Sequence, residues 1–252
     1  MSLGKDTDLK SVVRLVHQKC VVTAAFLRKQ GVSYQRMLKF RQANWLTPLG
    51  VGAFCESGSV PSLDVAFVAL SEQLGLPVHF GSKTALARRG LMHYVPLGGL
   101  TSEVYLRRGF RLPKWFENVY EGQFVRNSAS LFADDGGLEI DANGVTVSSP
   151  ERAFLEMAAE VPRKASLGEL YQIMELAETL RPKLVENMLV GCRSVKAKRI
   201  FAMLADDLGH WWFKKIDLTK INLGSGCRMI DRDGELHPKY NLVVRPWRWR
   251  ES

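Results

Sequence analysis

Apolar positions in this chain change period several times, and each change marks an element. Leu9, Val12, Val13 and Val16 recur at helical spacing and predict an opening helix that ends near Lys19. Thr23 then stands before Ala24, Ala25, Phe26 and Leu27 as the cap of a short second helix, and Gly31 supplies a left-handed stop. Ser33 caps a third helix directly after this joint. Two short helices joined by a glycine-containing turn form the helix-turn-helix pattern, in which the later helix is offered to a DNA major groove. The stretch from Leu46 to Phe54 reads as strand, turn, strand, with Gly50 and Gly52 at the turn, and so predicts a wing directly after that helix.

On a helical wheel Tyr34, Met37, Leu38 and Trp45 fall within one arc of the third helix, while Gln35, Arg36, Lys39 and Gln42 gather opposite. The first group is expected in the core. The second suits base edges: arginine donates two bonds to guanine, glutamine pairs with adenine, and lysine reaches guanine or phosphate. A merely solvated surface helix shows the same polar face; the wing is what turns the pattern toward DNA.

Further on, Leu63 to Gly75 is predicted helical, Pro77 to Phe80 a short strand and Ser82 to Arg89 a helix. Val104–Leu106, Gln123–Val125, Leu138–Ile140 and Val145–Val147 are predicted strands, the last two joined by an Asp141-Ala142-Asn143-Gly144 turn. Ser149 and Pro150 then open a helix. Ser166 with Glu169 makes a capping box for a helix through Leu180, Pro182 opens another to about Val190, and Ser194 caps a third from Val195 to Leu208. After Gly209, Trp211, Trp212 and Phe213 lead into an expected hairpin whose second strand is Tyr240 to Val244. The tail Arg245-Pro246-Trp247-Arg248-Trp249-Arg250 alternates cation and aromatic. The fold class is α+β: an N-terminal winged helix-turn-helix region over 1–96, with its core at about 8–57, followed by a C-terminal domain over 97–252 of mixed sheet and packed helices. Tyr94-Val95-Pro96-Leu97-Gly98-Gly99 is the expected boundary.

Charge sharpens this picture. The chain has 252 residues and a formal net charge of +9, which favours polyanionic partners. From Met1 to Glu56 nine cations face only Asp6, Asp8 and Glu56. A second surplus runs from Arg181 to Ile200, where Arg181, Lys183, Arg193, Lys196, Lys198 and Arg199 face only Glu186. On their predicted helix Lys196 and Arg199 are neighbours beside an apolar stripe of Ile200, Met203 and Leu204, so a basic ridge is expected on the outside.

Candidate chemistry is sparse. Cys20, Cys55, Cys192 and Cys227 form no CxxC pair, and the five histidines have no repeated spacing, so no metal site is expected. Gly81-Ser82-Lys83-Thr84 resembles the end of a phosphate loop but lacks the Gly-Lys pair, and Leu76 stands where its first glycine belongs. Asp134, Asp135, Glu139 and Asp141 cluster at a glycine-rich hairpin and read as turn residues. No catalytic residue and no cofactor is expected, and the start MSLGKDTDLK carries no targeting segment, which gives a cytoplasmic expectation.

GVSYQRMLKFRQANWLTPLGVGAF resembles the winged-helix segment of the AbiEi antitoxins of type IV toxin–antitoxin, or abortive infection, systems. GLPVHFGSKTALARRGLMHYVPLGG, VSSPERAFLEMAAEVP, LRPKLVENMLVGCRSVKAKRIFAMLA and GHWWFKKIDLTKINLGSGCRMI resemble the same family in the same order, over nearly the whole chain. Cys227 departs from the basic residue expected there. The resemblance implies a phage-defence antitoxin that binds inverted repeats in its own promoter as an autorepressor. It also implies a nucleotidyltransferase toxin as functional partner, countered without a stable complex being required, and no membrane. Ser33, Gln35, Arg36, Lys39, Gln42, Gly50 and Gly52 are the candidate DNA-binding residues. Arg193, Lys196, Lys198 and Arg199 are the candidate antitoxic surface. Two other readings stay open: a stand-alone winged-helix transcription factor with a ligand-sensing or dimerising C-terminal domain, and a nucleic-acid enzyme targeted by its winged helix.

Overall fold

The computed structural model describes residues 9–92 and 101–245. The expected boundary at Tyr94 to Gly99 and the aromatic tail beyond Arg245 lie outside the described residues. The chain divides into two compact units, each drawn from separate stretches: Met1–His79 with Val104–Asn127 and Ile140–Thr146, and Phe80–Glu103 with Ser128–Glu139 and Val147–Ser252.

The first unit opens with α1 (Leu9–Lys19), β1 (Val21–Thr23), α2 (Ala24–Lys29), α3 (Tyr34–Gln42), β2 (Thr47–Gly50) and β3 (Ala53–Cys55). The winged reading holds and gains a strand. β1 precedes the helix pair and completes a three-stranded antiparallel sheet in the order β1-β3-β2, with Val22 opposite Phe54 and Pro48 opposite Phe54 on the other side. Val12, Val16, Val22, Leu27, Val32, Met37, Leu46 and Phe54 form the core beneath the helices. α4 (Leu63–Val68) passes into a π-helical turn over Ala69–Gln73. This places the buried Gln73 side chain against the outer edge of β1, where its Oε1 accepts from Thr23 N at 2.8 Å and its Nε2 donates to Val21 O at 2.7 Å. One amide thus occupies the edge of the sheet where a further strand would pair.

Next come β4 (Val78–Phe80), α5 (Ser82–Arg88), β5 (Ser102–Leu106), α6 (Lys114–Val119), β6 (Phe124–Ser128), β7 (Leu138–Ile140) and β8 (Thr146–Ser148). The strands form a five-stranded sheet in the order β6-β5-β4-β8-β7, with Phe80 opposite Val147 in a parallel pair. α6 was not predicted. It buries Trp115 and Phe116 in the first unit, beside the wing, while Tyr120 donates to Pro61 O at 2.9 Å. The approach is tight at Gly50: a Cβ there would lie 2.7 Å from Trp115 Cβ, and its φ of +153° disfavours other residues.

The second unit is organised around α7 (Pro150–Glu160), with α5, α8 (Leu167–Glu175), α9 (Pro182–Gly191) and α10 (Val195–Asp207) packed on it. Ser149 caps α7 and Pro150 takes its first turn, as expected. Burial reaches even its charged residues, Glu151, Arg152 and Glu156. Each is satisfied: Arg152 Nε donates to Glu156 Oε1 at 3.0 Å, Ser148 Oγ and Ser82 N donate to Glu156 Oε2, and Arg181 donates to Glu151. α8 stops short of the predicted Leu180. The Ala177 and Glu178 carbonyls accept instead from the indoles of Trp212 (2.6 Å) and Trp211 (2.8 Å). The expected terminal hairpin is present, its second strand Leu242–Val244 paired antiparallel with Glu235–His237, and the chain around it gains further elements. Two 3-10 turns, Phe213–Lys215 and Leu218–Lys220, follow the tryptophans. A small sheet then forms from β9 (Arg228–Met229), β10 (Glu235–His237) and β11 (Leu242–Val244), in which β9 runs parallel to β11.

Candidate nucleic-acid interface

The joint between α2 and α3 is fixed by the residues that the sequence singled out. Thr23 Oγ1 accepts from Phe26 N at 3.1 Å, Gly31 adopts φ +86°, and Ser33 Oγ accepts from Arg36 N at 3.3 Å. Each cap satisfies a backbone donor that the helix start would leave open. The N-terminus of α3 therefore stands clear and ordered.

The buried face of α3 is not the arc that the wheel placed there. Met37, only 2% exposed, and Phe40 pack on the core, whereas Tyr34 is 69% and Trp45 46% exposed. The reason lies just past the helix. α3 ends at Gln42, and Asn44 adopts a left-handed φ of +57°, which turns Trp45 outward and carries Leu46 into the core. Among the predicted readers, Gln35, Lys39 and Gln42 are exposed, while Arg36 sits half-buried on the flank. Tyr34 and Leu38 share the open side with them.

Between α3 and the wing lies a cleft of about 720 Å³. Tyr34, Leu38, Pro48 and Val51 line it together with the core residues Met37 and Phe54, and Arg28 and Arg41 contribute the charge. Val51, at the wing tip, is 98% exposed. Gly50 and Gly52, both with positive φ, make the turn that carries it. From Leu9 to Cys55 the chain holds eight basic residues and no acidic one. Among the described residues Arg28, Arg36, Lys39 and Arg41 have no carboxylate partner, whereas Lys19 is held by Glu72 at 2.8 Å.

The second basic group is built differently. Arg193 is exposed, but Arg199 is 1% exposed and Lys198 is also buried. The expected outward ridge is therefore corrected. Arg199 Nε donates to Leu223 O (2.7 Å), Nη1 to Gly226 O (2.6 Å) and Asn241 O (3.2 Å), and Nη2 to Gly224 O (3.1 Å). Lys198 Nζ donates to Asn222 O at 3.1 Å. Lys196 Nζ donates to Ala159 O and Val161 O at the C-terminal end of α7, and burial, then the charge of Arg163, pull its pKa down. Glycine-rich loops, with few side chains of their own to bury, are thus tied down by cations from α10. The wheel gave no sign of this, because the carbonyl acceptors lie more than twenty residues away along the chain.

The remaining acidic residues serve turns and ion pairs. Asp141 Oδ1 accepts from Asn143 N and Val145 N, and Glu139 pairs with Arg89 and Arg181. The carboxyl of Glu103 is different. Burial, and then the charge of Glu160, push its pKa up to about 7 against the opposing influence of Ser82 and Lys83. Among the described residues its Oε2 has no hydrogen-bond partner.

Comparison with known proteins identifies a family over nearly the whole chain. The family described as "Transcriptional regulator, AbiEi antitoxin N-terminal domain" matches residues 5–97, and that described as "Transcriptional regulator, AbiEi antitoxin, Type IV TA system" matches residues 102–245. No curated protein matches the chain. Among solved structures, the crystal structure of the RV2827C protein from Mycobacterium tuberculosis is similar, with a TM-score of 0.63 and 17% identity. The match covers 96% of this chain and 95% of that one. At that identity it speaks for the fold alone.

Proposed function

The chain belongs to the AbiEi family of antitoxins and transcriptional regulators of type IV toxin–antitoxin systems, and from that premise we propose that its winged unit represses its own operon. In this reading Gln35, Lys39 and Gln42 meet base edges in the major groove. Arg36 reaches a base or a phosphate from the flank, Ser33 holds the helix start in place, and Gly50 and Gly52 shape the wing. The observation that carries the proposal is the run of eight cations without an acid around an exposed polar helix face. Cations at that density, with Arg28, Arg36, Lys39 and Arg41 free of carboxylate partners among the described residues, favour a phosphate backbone.

The second role is antitoxic. The partner is a nucleotidyltransferase toxin encoded beside this gene, countered without the need for a stable complex, and the chain performs no catalysis of its own. Of the four cations first considered for the antitoxic surface, Arg193 is the one with an exposed side chain, and it carries that proposal.

Duplex binding by the full chain to the DNA upstream of its own gene, titrated over a range of salt, tests the first role. Each phosphate neutralised contributes about 0.9 to the slope of log K against log salt. A flat slope, or undiminished binding by a folded variant with alanine at Gln35, Arg36, Lys39 and Gln42, refutes it. Co-expression with the neighbouring gene product, scored by growth, tests the second.

A further inference from the structure

Two features of the winged unit are not explained by polar readout of bases. The open side of α3 is partly apolar, because Tyr34 and Leu38 stand one turn apart beside Gln35, Lys39 and Gln42. The wing, in turn, has no cation: Thr47-Pro48-Leu49-Gly50-Val51-Gly52-Ala53 offers phosphate no charge, and its tip is the fully bare Val51.

The cleft between them therefore has apolar walls in a strongly basic surrounding. An occupant that matches both must be apolar where it meets Tyr34, Leu38 and Val51 and anionic where it meets Arg28 and Arg41. In the major groove the one apolar group on a base edge is the C5 methyl of thymine. The other bases lack that methyl and present mainly donors and acceptors, which an apolar wall would desolvate without replacing their bonds. We propose that Tyr34 and Leu38, with Val51 across the cleft, read thymine methyl groups. The recognised half-site then carries thymine beside the bases that face Gln35, Lys39 and Gln42. Arg28 and Arg41 hold the flanking phosphates. This inference rests on the DNA-binding reading and adds a base identity to it.

The test uses the full chain and the duplex most enriched from a randomised library. Binding is measured by fluorescence anisotropy at one salt concentration, first with thymine and then with deoxyuridine, which lacks only the methyl, at each position in turn. One or two positions are expected to weaken binding about fourfold each, the fold-change that corresponds to about 0.8 kcal/mol. The exposed-site variant Tyr34→Asn and the variant Leu38→Ala, each checked by circular dichroism, should bind the two forms nearly equally. Because the base-analogue arm uses the unaltered protein, a poorly folded variant does not undo it. Duplex binding that deoxyuridine leaves unchanged overturns this inference while sparing the DNA-binding reading. A deoxyuridine penalty of equal size in wild type and both variants overturns it too, since the methyl is then read elsewhere. Failure to enrich or bind any duplex overturns the DNA-binding reading itself.

Discussion

Replacing Arg199 by methionine separates a structural cation from a functional one. The side chain is 1% exposed and donates to four backbone carbonyls, those of Leu223, Gly224, Gly226 and Asn241. Methionine keeps much of the volume and removes every donor. A hydrogen bond to a charged group contributes about 1.5–3 kcal/mol net, and a buried carbonyl left unpaired costs about 1–3 kcal/mol. The four losses do not add, because the loop over 222–227 relaxes toward water once released and because burying the guanidinium carried its own desolvation cost. A net loss of about 3–5 kcal/mol is expected, at the upper end of single substitutions. Urea unfolding of the full chain, followed by circular dichroism and by tryptophan fluorescence, measures it. A change in midpoint equivalent to less than about 1 kcal/mol would refute the clamp, on the standard that ordinary surface substitutions stay within about 0.5 kcal/mol. The result also governs how toxin-rescue experiments are read. A combined change at Lys196, Lys198 and Arg199 abolishes rescue by unfolding the second unit, whereas Arg193→Glu alters an exposed charge and leaves the carbonyl clamps in place.

Three further outcomes are expected. Arg36→Ala, on the flank of α3, should weaken operator binding by about 1–3 kcal/mol if its guanidinium reaches guanine, and by less, without loss of sequence preference, if it meets phosphate; competition binding with mismatched duplexes distinguishes these. Glu103 keeps its proton in the folded chain up to about pH 7 but loses it near 4.5, the ordinary value of a glutamate, when unfolded. Its contribution is therefore favourable at low pH and declines as pH rises through that window, by up to about 3 kcal/mol. Glu103→Gln should flatten the dependence of the unfolding midpoint between pH 5 and 8, and an unchanged profile would count against the assignment. Gly50→Ala forces a Cβ to 2.7 Å from Trp115 Cβ at a strained φ and should lower stability by about 1–3 kcal/mol, read as a fall in Tm; a rise would mean that the wing and α6 separate easily.

How far the sequence could be read depended on the range of the interactions involved. Thr23, Ser33, Ser149, Ser166 and Ser194 all cap the helices expected of them, since a cap acts within three residues of itself. β1 is not legible in sequence because three residues, Val21 to Thr23, make a strand only when β3 arrives to pair with them as Val21 with Cys55, Val22 with Phe54 and Thr23 with Ala53. α6 carried a usable signal, with Pro113 before it and Trp115, Phe116 and Val119 spaced along one face, yet it is short. On α3 the wheel differs from the structure at Trp45 because it extends the helix past its real end, and at Tyr34 because the buried face centres between Met37 and Phe40 and leaves Tyr34 at its margin. The cations of α10 were misjudged for a related reason. A lysine or arginine in sequence looks solvated until distant carbonyls are found to surround it.

The discontinuity of the first unit bears on how the reader is made. The helix pair and wing are complete in sequence by Cys55, but the wing's Gly50 rests against Trp115, and Pro61 accepts from Tyr120. During synthesis the early segment therefore waits, its Gly50 side uncovered, until the chain has grown past Val119. A fragment ended at the close of the first family match, residue 97, contains every side chain proposed to touch DNA and none of the α6 residues that support the wing. The support of the proposed reader is thus completed only late in the chain's own translation.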